Sequence, residues 1–239
     1  MNGHVGATVL LTVVGNATIL GLVQLDAFFG RSQSDMGNSG QEVVDMGLTG
    51  RLAEFIVNTS VADLPQNVVE KSKQMMLNAA AAGLAGSVQK EGQIITRYVQ
   101  QMGGRPDCTV IGTGLRSSPV NAALANGTMV HVLDYEEAIL RRGNHPSNVM
   151  FPTVMALGQQ KSLPGGEVVA AFAVGCEVST KLGAAGDLDS MRPAMGRHGW
   201  FQTSVAGSIG AAAAAGKLLG LDQEQMENAL GVAVSQAAG

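Results

Sequence analysis

The sequence predicts an all-α fold, a bundle of about seven or eight helices, on the basis of three observations. Apolar residues recur with helical spacing through most of the chain after residue 47. Residues that begin and end helices, such as Ser, Asp and Pro before the apolar runs and Gly after them, separate these segments. A single short segment has the β-branched composition of a strand. We therefore expect helices packed around a core with almost no sheet.

Three helices are predicted in the first part of this region. The apolar side chains of the first share one face: Leu48, Leu52, Phe55 and Ile56. The second is predicted to be capped by Asp63, to have Pro65 in its first turn and to stop at Gly86. The third spans Gln89–Met102 and ends at a pair of glycines.

The middle of the chain is predicted to contain the strand and two further helices. Asp107–Gly112 is short, β-branched and bounded by turn residues, as strands are. Ser118 and the following proline begin a helix that should end near Ala138. Ser147 is a suitable cap for the next helix, which continues to Gly158.

The last part of the chain contains three more predicted helices. The first begins at Pro164 and reaches about Gly183, and the second covers Thr203–Leu219 with Gly220 as a left-handed stop. The alanine run in the second predicts a core helix that neighbours approach closely. Asp222, followed three residues later by a glutamine, begins the last helix with a capping box. This helix should end near residue 236.

The first 46 residues differ from the rest. Val5–Leu25 contains no charged residue and has about the length of a membrane span. A secretory signal is disfavoured because residues 1–4 contain no Lys or Arg. A membrane anchor, a buried helix and an extension absent from the mature protein remain alternatives. Residues 30–46 are polar and rich in Gly and Ser, so we divide the chain into residues 1–46 and a helical domain over 47–239.

Composition excludes several classes of protein. The chain is 46% hydrophobic and 14% charged with a net charge of −4, which gives no basic field for nucleic acid. Two cysteines can form at most one disulfide, so the fold is not a disulfide scaffold. The same two thiols are too few to hold an iron–sulfur cluster from this chain alone. A reducing compartment suits them, and we expect a cytoplasmic protein unless Val5–Leu25 anchors it to a membrane.

Four segments together resemble the MmgE/PrpD family, which includes 2-methylcitrate dehydratase and cis-aconitate decarboxylase. They occur in the family's order at nearly the family's spacing: Leu52–Ser87, Asn121–Ala138, His145–Gln159 and Gly207–Gly239. Family members are about twice as long, and their α-helical domain is interrupted by a lid domain. The resemblance implies that the chain contains the first part of the helical domain without the lid. It also implies a homodimeric lyase that needs no cofactor.

Asp134 and His145 match the Asp and His of the family's active site. Elimination of water from a hydroxylated tricarboxylate needs a base beside a carboxylate and an acid for the departing hydroxyl. A carboxylate and an imidazole can divide these tasks. Both residues lie beside the loop Ile139–Asn144, which joins two predicted helices, and we therefore expect them to converge there.

The remaining candidates are substrate contacts. Arg141 and Arg142 lie in that loop, and guanidinium groups bind carboxylates in a bidentate manner. His198, Gln202 and Thr203 belong to a segment where the family has an active-site histidine. These five residues are the predicted substrate-binding set.

Three departures from the family pattern weaken the site. Ala138 occupies the position of a threonine, and Phe201 occupies the position of the second histidine. The family's lysine would lie beyond Gly239. These departures favour an alternative, a non-catalytic binding or structural protein, with or without a membrane tether through its N-terminal segment.

A metal site is a further alternative. His131, Asp134 and Glu137, spaced by three residues, would be joined by His145. On a continuous helix His131 and Glu137 point about 120° apart, so one ion cannot easily bind all three. The prediction is therefore a site without metal.

Overall fold

The computed structural model describes residues 47–139, 144–185 and 199–237, and these contain eight α-helices. In chain order the helices are α1 Leu48–Asn58, α2 Gln66–Ser87, α3 Lys90–Met102, α4 Pro119–His131, α5 Ser147–Lys161, α6 Gly165–Ala185, α7 Gln202–Leu219 and α8 Gln223–Gln236. The strands are β1 Cys108–Thr109 and β2 Arg116–Ser117. The prediction of an all-α fold with about seven or eight helices is confirmed.

The start of α2 differs in detail from the prediction. Asp63 does not cap this helix, because it ends a short 3-10 helix over Val61–Asp63. There the backbone N–H of Ser60 donates to Oδ2 of Asp63 at 2.8 Å. Pro65 instead occupies the N-cap of α2 in an extended conformation. The carboxylate of Asp63 therefore caps the preceding 3-10 helix, whereas the sequence pattern predicted that it would cap α2.

The predicted strand is much shorter than Asp107–Gly112. Only β1 forms within it, and it pairs antiparallel with β2, a partner that the sequence analysis did not identify. The side chain of Asn126 on α4 explains the short length. Its amide donates to the Thr109 carbonyl at 2.9 Å, and its oxygen accepts from the Ile111 N–H at 2.8 Å. These backbone groups are no longer available for a longer strand ladder.

The core forms around α6 and α7, and the predicted buried role of the alanine-rich helix is confirmed. A Cβ atom added to Gly175 would lie 3.0 Å from the Gly210 carbonyl oxygen, so the two backbones approach closely. Bulkier side chains fill the space around this contact. The largest cluster of buried side chains includes Met75, Met150, Phe172 and Ala214.

A second close approach joins α2 to α4. A Cβ atom added to Gly86 would lie 1.9 Å from the backbone oxygen of Met129, a separation that no real side chain tolerates. Gly86 thus allows the last turn of α4 to lie directly against α2. The contact lies in the last turn of α4, just before the chain leaves this helix for the candidate site.

None of the described helices combines the length and the apolar character that a membrane span needs. The apolar segment Val5–Leu25 and the linker that follows it lie outside the described residues. The hypothesis of a membrane anchor therefore stays a prediction.

Candidate acid–base site between α4 and α5

The site begins where α4 ends, and α4 ends at His131 rather than near Ala138 as predicted. The backbone N–H of Asp134 donates to the His131 carbonyl at 2.9 Å, which closes a tight turn. Asp134 has a φ of 54°, a left-handed conformation that Asp adopts more readily than most residues. Glu136 and Glu137 therefore leave the helix direction and turn back toward the bundle.

The start of α5 returns the chain to the same place. The N–H of Ile139 donates to the Asn144 carbonyl at 2.9 Å, across the loop that joins α4 to α5. Asn144 is fully buried and donates from its side chain to Oγ of Ser179 at 3.0 Å. This pairing narrows the loop at its base and places His145 beside Asp134.

Ser147 is the first residue of α5 and not its cap, because Pro146 occupies the N-cap. The N–H of Ser147 donates to Oε1 of Glu137 at 3.0 Å. A carboxylate from the preceding turn therefore satisfies one of the free N–H groups at the start of the helix. Sequence reasoning missed this partner because it placed Glu137 on α4.

The two predicted acid–base residues converge. Nδ1 of His145 lies 3.5 Å from Oδ1 of Asp134. The side chain of Asp134 is 70% exposed, whereas that of His145 is 19% exposed. An open carboxylate thus faces a mostly buried imidazole, an arrangement in which a substrate can reach both groups.

Sequence reasoning did not give Glu136 a role. Its side chain is completely buried, and Oε1 contacts Nδ1 of His131 and lies 3.7 Å from Nδ1 of His145. The hydrogen bond with Glu136 raises the pKa of His131, although partial burial acts in the opposite direction. Two histidines therefore share one buried carboxylate. The signal in the sequence is weak: an acidic residue, Glu136, follows His131 at a distance of five residues.

Glu137 has the most perturbed acid group near the site. Burial raises the pKa of its carboxyl to about 7, against the smaller lowering effect of the hydrogen bond from Ser147. The residue is partly exposed as a whole, but its Oε2 atom is out of contact with solvent. At neutral pH this group exists partly as the neutral acid.

The predicted substrate-binding residues fall into two groups. Thr203 is buried on α7, and its Oγ1 accepts from the backbone N–H of His145 at 3.1 Å. Gln202 is the first residue of that helix and is partly exposed. Arg141, Arg142 and His198 lie outside the described residues. The start of α7 therefore adjoins the acid–base pair and positions its histidine.

Four side chains at this site could hold a metal ion: His131, Asp134, Glu136 and His145. One ligand atom from each lies within 4.8 Å of the ligand atoms of the other three. The argument against a metal assumed that His131 and Glu137 lie on one continuous helix. It does not apply, because α4 ends at His131, before Asp134. Glu136, not Glu137, completes the set. Nitrogen and oxygen ligands of this kind suit zinc and similar divalent ions.

Known proteins resemble the chain over the region that contains this site. The family model of the MmgE/PrpD N-terminal domain matches residues 50–239. A cis-aconitate decarboxylase-like protein from Aspergillus oryzae, oryM, is 30% identical over 80% of this chain and 40% of its own length. The cis-aconitate decarboxylase of Aspergillus terreus is 31% identical over 81% and 40%, and that of Homo sapiens is 31% identical over 80% and 40%. The chain thus spans about 40% of the length of these relatives.

Proposed function

The chain belongs to the MmgE/PrpD family, and from that premise we propose that it forms the helical domain of a lyase acting on a small polycarboxylate. The 3.5 Å approach of His145 to Asp134 carries this proposal. An imidazole and a carboxylate at that distance can exchange roles as acid and base in one active site.

The proposed reaction moves a proton at a carbon next to a carboxylate. In dehydration of a substrate such as 2-methylcitrate, a base takes that proton, the C–O bond breaks and the hydroxyl leaves as water. In decarboxylation of a substrate such as cis-aconitate, the C–C bond breaks, CO2 leaves and a proton is added to carbon. The names of the relatives support decarboxylation. Dehydration is included because the sequence motifs also resemble those of 2-methylcitrate dehydratase.

The residues that this chemistry requires are side chains of the protein itself, so we propose a reaction without a cofactor. Asp134 and His145 transfer the protons. In the proposal, Arg141, Arg142, His198 and Gln202 hold the carboxylates of the substrate, and Thr203 acts through the backbone of His145. Guanidinium and imidazolium groups are the appropriate partners for a substrate with several negative charges.

Turnover assays test this function. The protein, expressed from its complete reading frame, is incubated with cis-aconitate, 2-methylcitrate or citrate and followed by proton NMR. We expect turnover of at least one of the first two substrates. If the protein converts none of the three substrates, the proposal is contradicted and the alternative of a non-catalytic binding protein is favoured. The residues Ala138 and Phe201 favour that alternative, since each replaces a polar side chain of the family pattern.

We further propose that the protein is a homodimer in the cytoplasm. The large apolar side chains that remain exposed on the described helices support association of two copies. Its expected partners are a second copy and the substrate, with no nucleic acid.

A further inference from the structure

A second imidazole lies beside His145. The ring centroids of His131 and His145 are 5.7 Å apart, and the ring planes meet at 65°. Glu136 lies next to both rings, because its Oε1 atom contacts Nδ1 of His131 and is 3.7 Å from Nδ1 of His145. The site therefore contains a histidine that was not among the predicted catalytic or substrate-binding residues.

His131 is held through one ring nitrogen, and its other nitrogen remains available. Nδ1 faces Glu136, whereas Nε2 has no hydrogen-bond partner among the described residues. The side chain of His131 is 38% exposed and lines a groove of about 550 Å³ between α4 and α5. A ligand can therefore reach the ring from outside the bundle.

Phe201 shows why this ring belongs to the site. Its ring stacks on His131 with centroids 6.2 Å apart and an angle of 27° between the planes. Position 201 is where the family pattern has a histidine. Position 201 thus has no imidazole, but the imidazole of His131 stacks on the Phe201 ring that replaces it.

We propose that His131 is a proton donor of this site, held in place by Glu136 and supplying the imidazole that Phe201 lacks. The inference rests on the proposed lyase function and adds a residue to it. Glu136 is a positioning residue, since it is buried and acts on the substrate only through the imidazole rings beside it. The buried carboxylate fixes the ring orientation and keeps the proton of Nδ1 in place.

The proposed step balances in protons and electrons. In dehydration, Asp134 or His145 takes the proton from carbon, and the C–H electron pair forms the new double bond. The C–O bond breaks, and the hydroxyl leaves as water with the proton from Nε2 of His131. In decarboxylation, the same proton goes to the carbon that accepts the electron pair left by CO2. Exchange with solvent then restores His131 and the base.

Several charged groups set the charge of His131. Glu136 and Asp134 both favour the protonated ring, and partial burial disfavours it. Glu91 of α3 lines the same groove, and His145 is the other titratable ring in contact. The largest influence is the hydrogen bond that His131 donates to Glu136, which raises the pKa of the ring above its ordinary value.

Kinetics of single and double variants test the inference in the protein expressed from its complete reading frame. We expect H131Q to lower kcat about a hundredfold with little change in KM, as for loss of a general acid. E136Q should move the alkaline limb of the pH–rate profile to lower pH. H131Q/F201H should regain at least about a tenfold rate over H131Q, since it returns an imidazole to the site. V120Q, which places glutamine at an exposed position on the same helix outside the groove, is the matched control.

The outcomes separate the two proposals. If the wild type turns over substrate and H131Q keeps its kcat and pH profile, His131 is not the donor and the lyase proposal stands. If the wild type is inactive, the lyase proposal fails and the donor role of His131 fails with it. Recovery in the double variant excludes misfolding of H131Q as the cause.

Discussion

His145 and Asp134 form their contact across a loop whose base is closed by backbone pairing. Nδ1 and Oδ1 are 3.5 Å apart because Ile139 bonds to Asn144 and because Asp134 adopts a left-handed turn. Neither residue lies on a helix. The pair is therefore positioned by two turns that buried neighbours hold in place, which is how a rigid scaffold presents reactive groups.

Removal of either member of this pair should abolish most of the activity. We expect Asp134→Asn and His145→Gln each to lower kcat/KM about a hundredfold or more, since an acid–base pair acts as a unit. Thermal melting followed by circular dichroism should change little for Asp134→Asn, whose side chain is 70% exposed.

Asp107→Asn provides the matched control for that experiment. Asp107 pairs with Arg105 at 2.8 Å beside β1, and the same chemical change there should leave kcat/KM unchanged. Wild-type turnover by a double variant of Asp134 and His145 would contradict the assignment.

The helices could be predicted from sequence because their signals are local. Apolar spacing and flanking Ser, Pro and Gly residues identified the cores of all eight helices, and the cap at Asp222 was correct. The end of α4 could not be predicted in this way. The segment after His131 retains helix-compatible residues, and the turn at Asp134 is stabilised by tertiary contacts of Glu136 and Glu137. The sequence analysis considered His131 only as a ligand of the alternative metal site, and its contact with Glu136 follows from that turn.

A chelator should not reduce activity, because the proposed chemistry uses only side chains. Treatment with EDTA followed by gel filtration is expected to leave kcat within about twofold of the untreated protein. The four possible ligands around His131 and His145 make the test informative. Loss of activity that zinc or manganese restores would show instead that these residues hold a metal ion.

The helical domain should associate through its exposed apolar surface. Several large apolar side chains of the described residues remain more than half exposed: Leu48, Leu77, Leu84, Val88, Met102, Val120, Val232 and Val234. Apolar side chains left exposed in this number favour association between copies of a protein. Sedimentation of residues 48–239 should therefore show dimers or larger species, and a monomer at high micromolar concentration would contradict the expectation.

A methyl group at Gly86 should destabilise the fold. The added Cβ would lie 1.9 Å from the Met129 oxygen, so α2 and α4 must move apart. We expect Gly86→Ala to lower the free energy of unfolding by about 2 kcal/mol or more, the usual cost of overpacking. Gly231→Ala is the control, because nothing lies within 4 Å of its added Cβ. Because Gly231 lies within α8, Gly231→Ala should be neutral or should stabilise the protein by up to about 1 kcal/mol. Urea titrations of both variants measure the difference.

Glu137 should make the stability of the protein fall as the pH rises toward neutral. Its ordinary pKa is 4.5, and burial raises it to about 7 in the folded state. Between these values the folded protein keeps a proton that the unfolded chain has released. The free energy of unfolding therefore decreases across this range and is lowest above the folded pKa.

The size and sign of this effect can be measured against Glu137→Gln. Each pKa unit corresponds to about 1.4 kcal/mol, so the penalty at high pH is of the order of 3 kcal/mol. Glutamine stays neutral, and its oxygen can still accept from the Ser147 N–H. The variant should therefore gain stability relative to the wild type as the pH rises from 4.5 to 8, as measured by urea titration at each pH. Glu224→Gln makes the same change at an exposed position of α8 and serves as the control. A constant difference between Glu137→Gln and the wild type would mean that folding does not raise the pKa of Glu137.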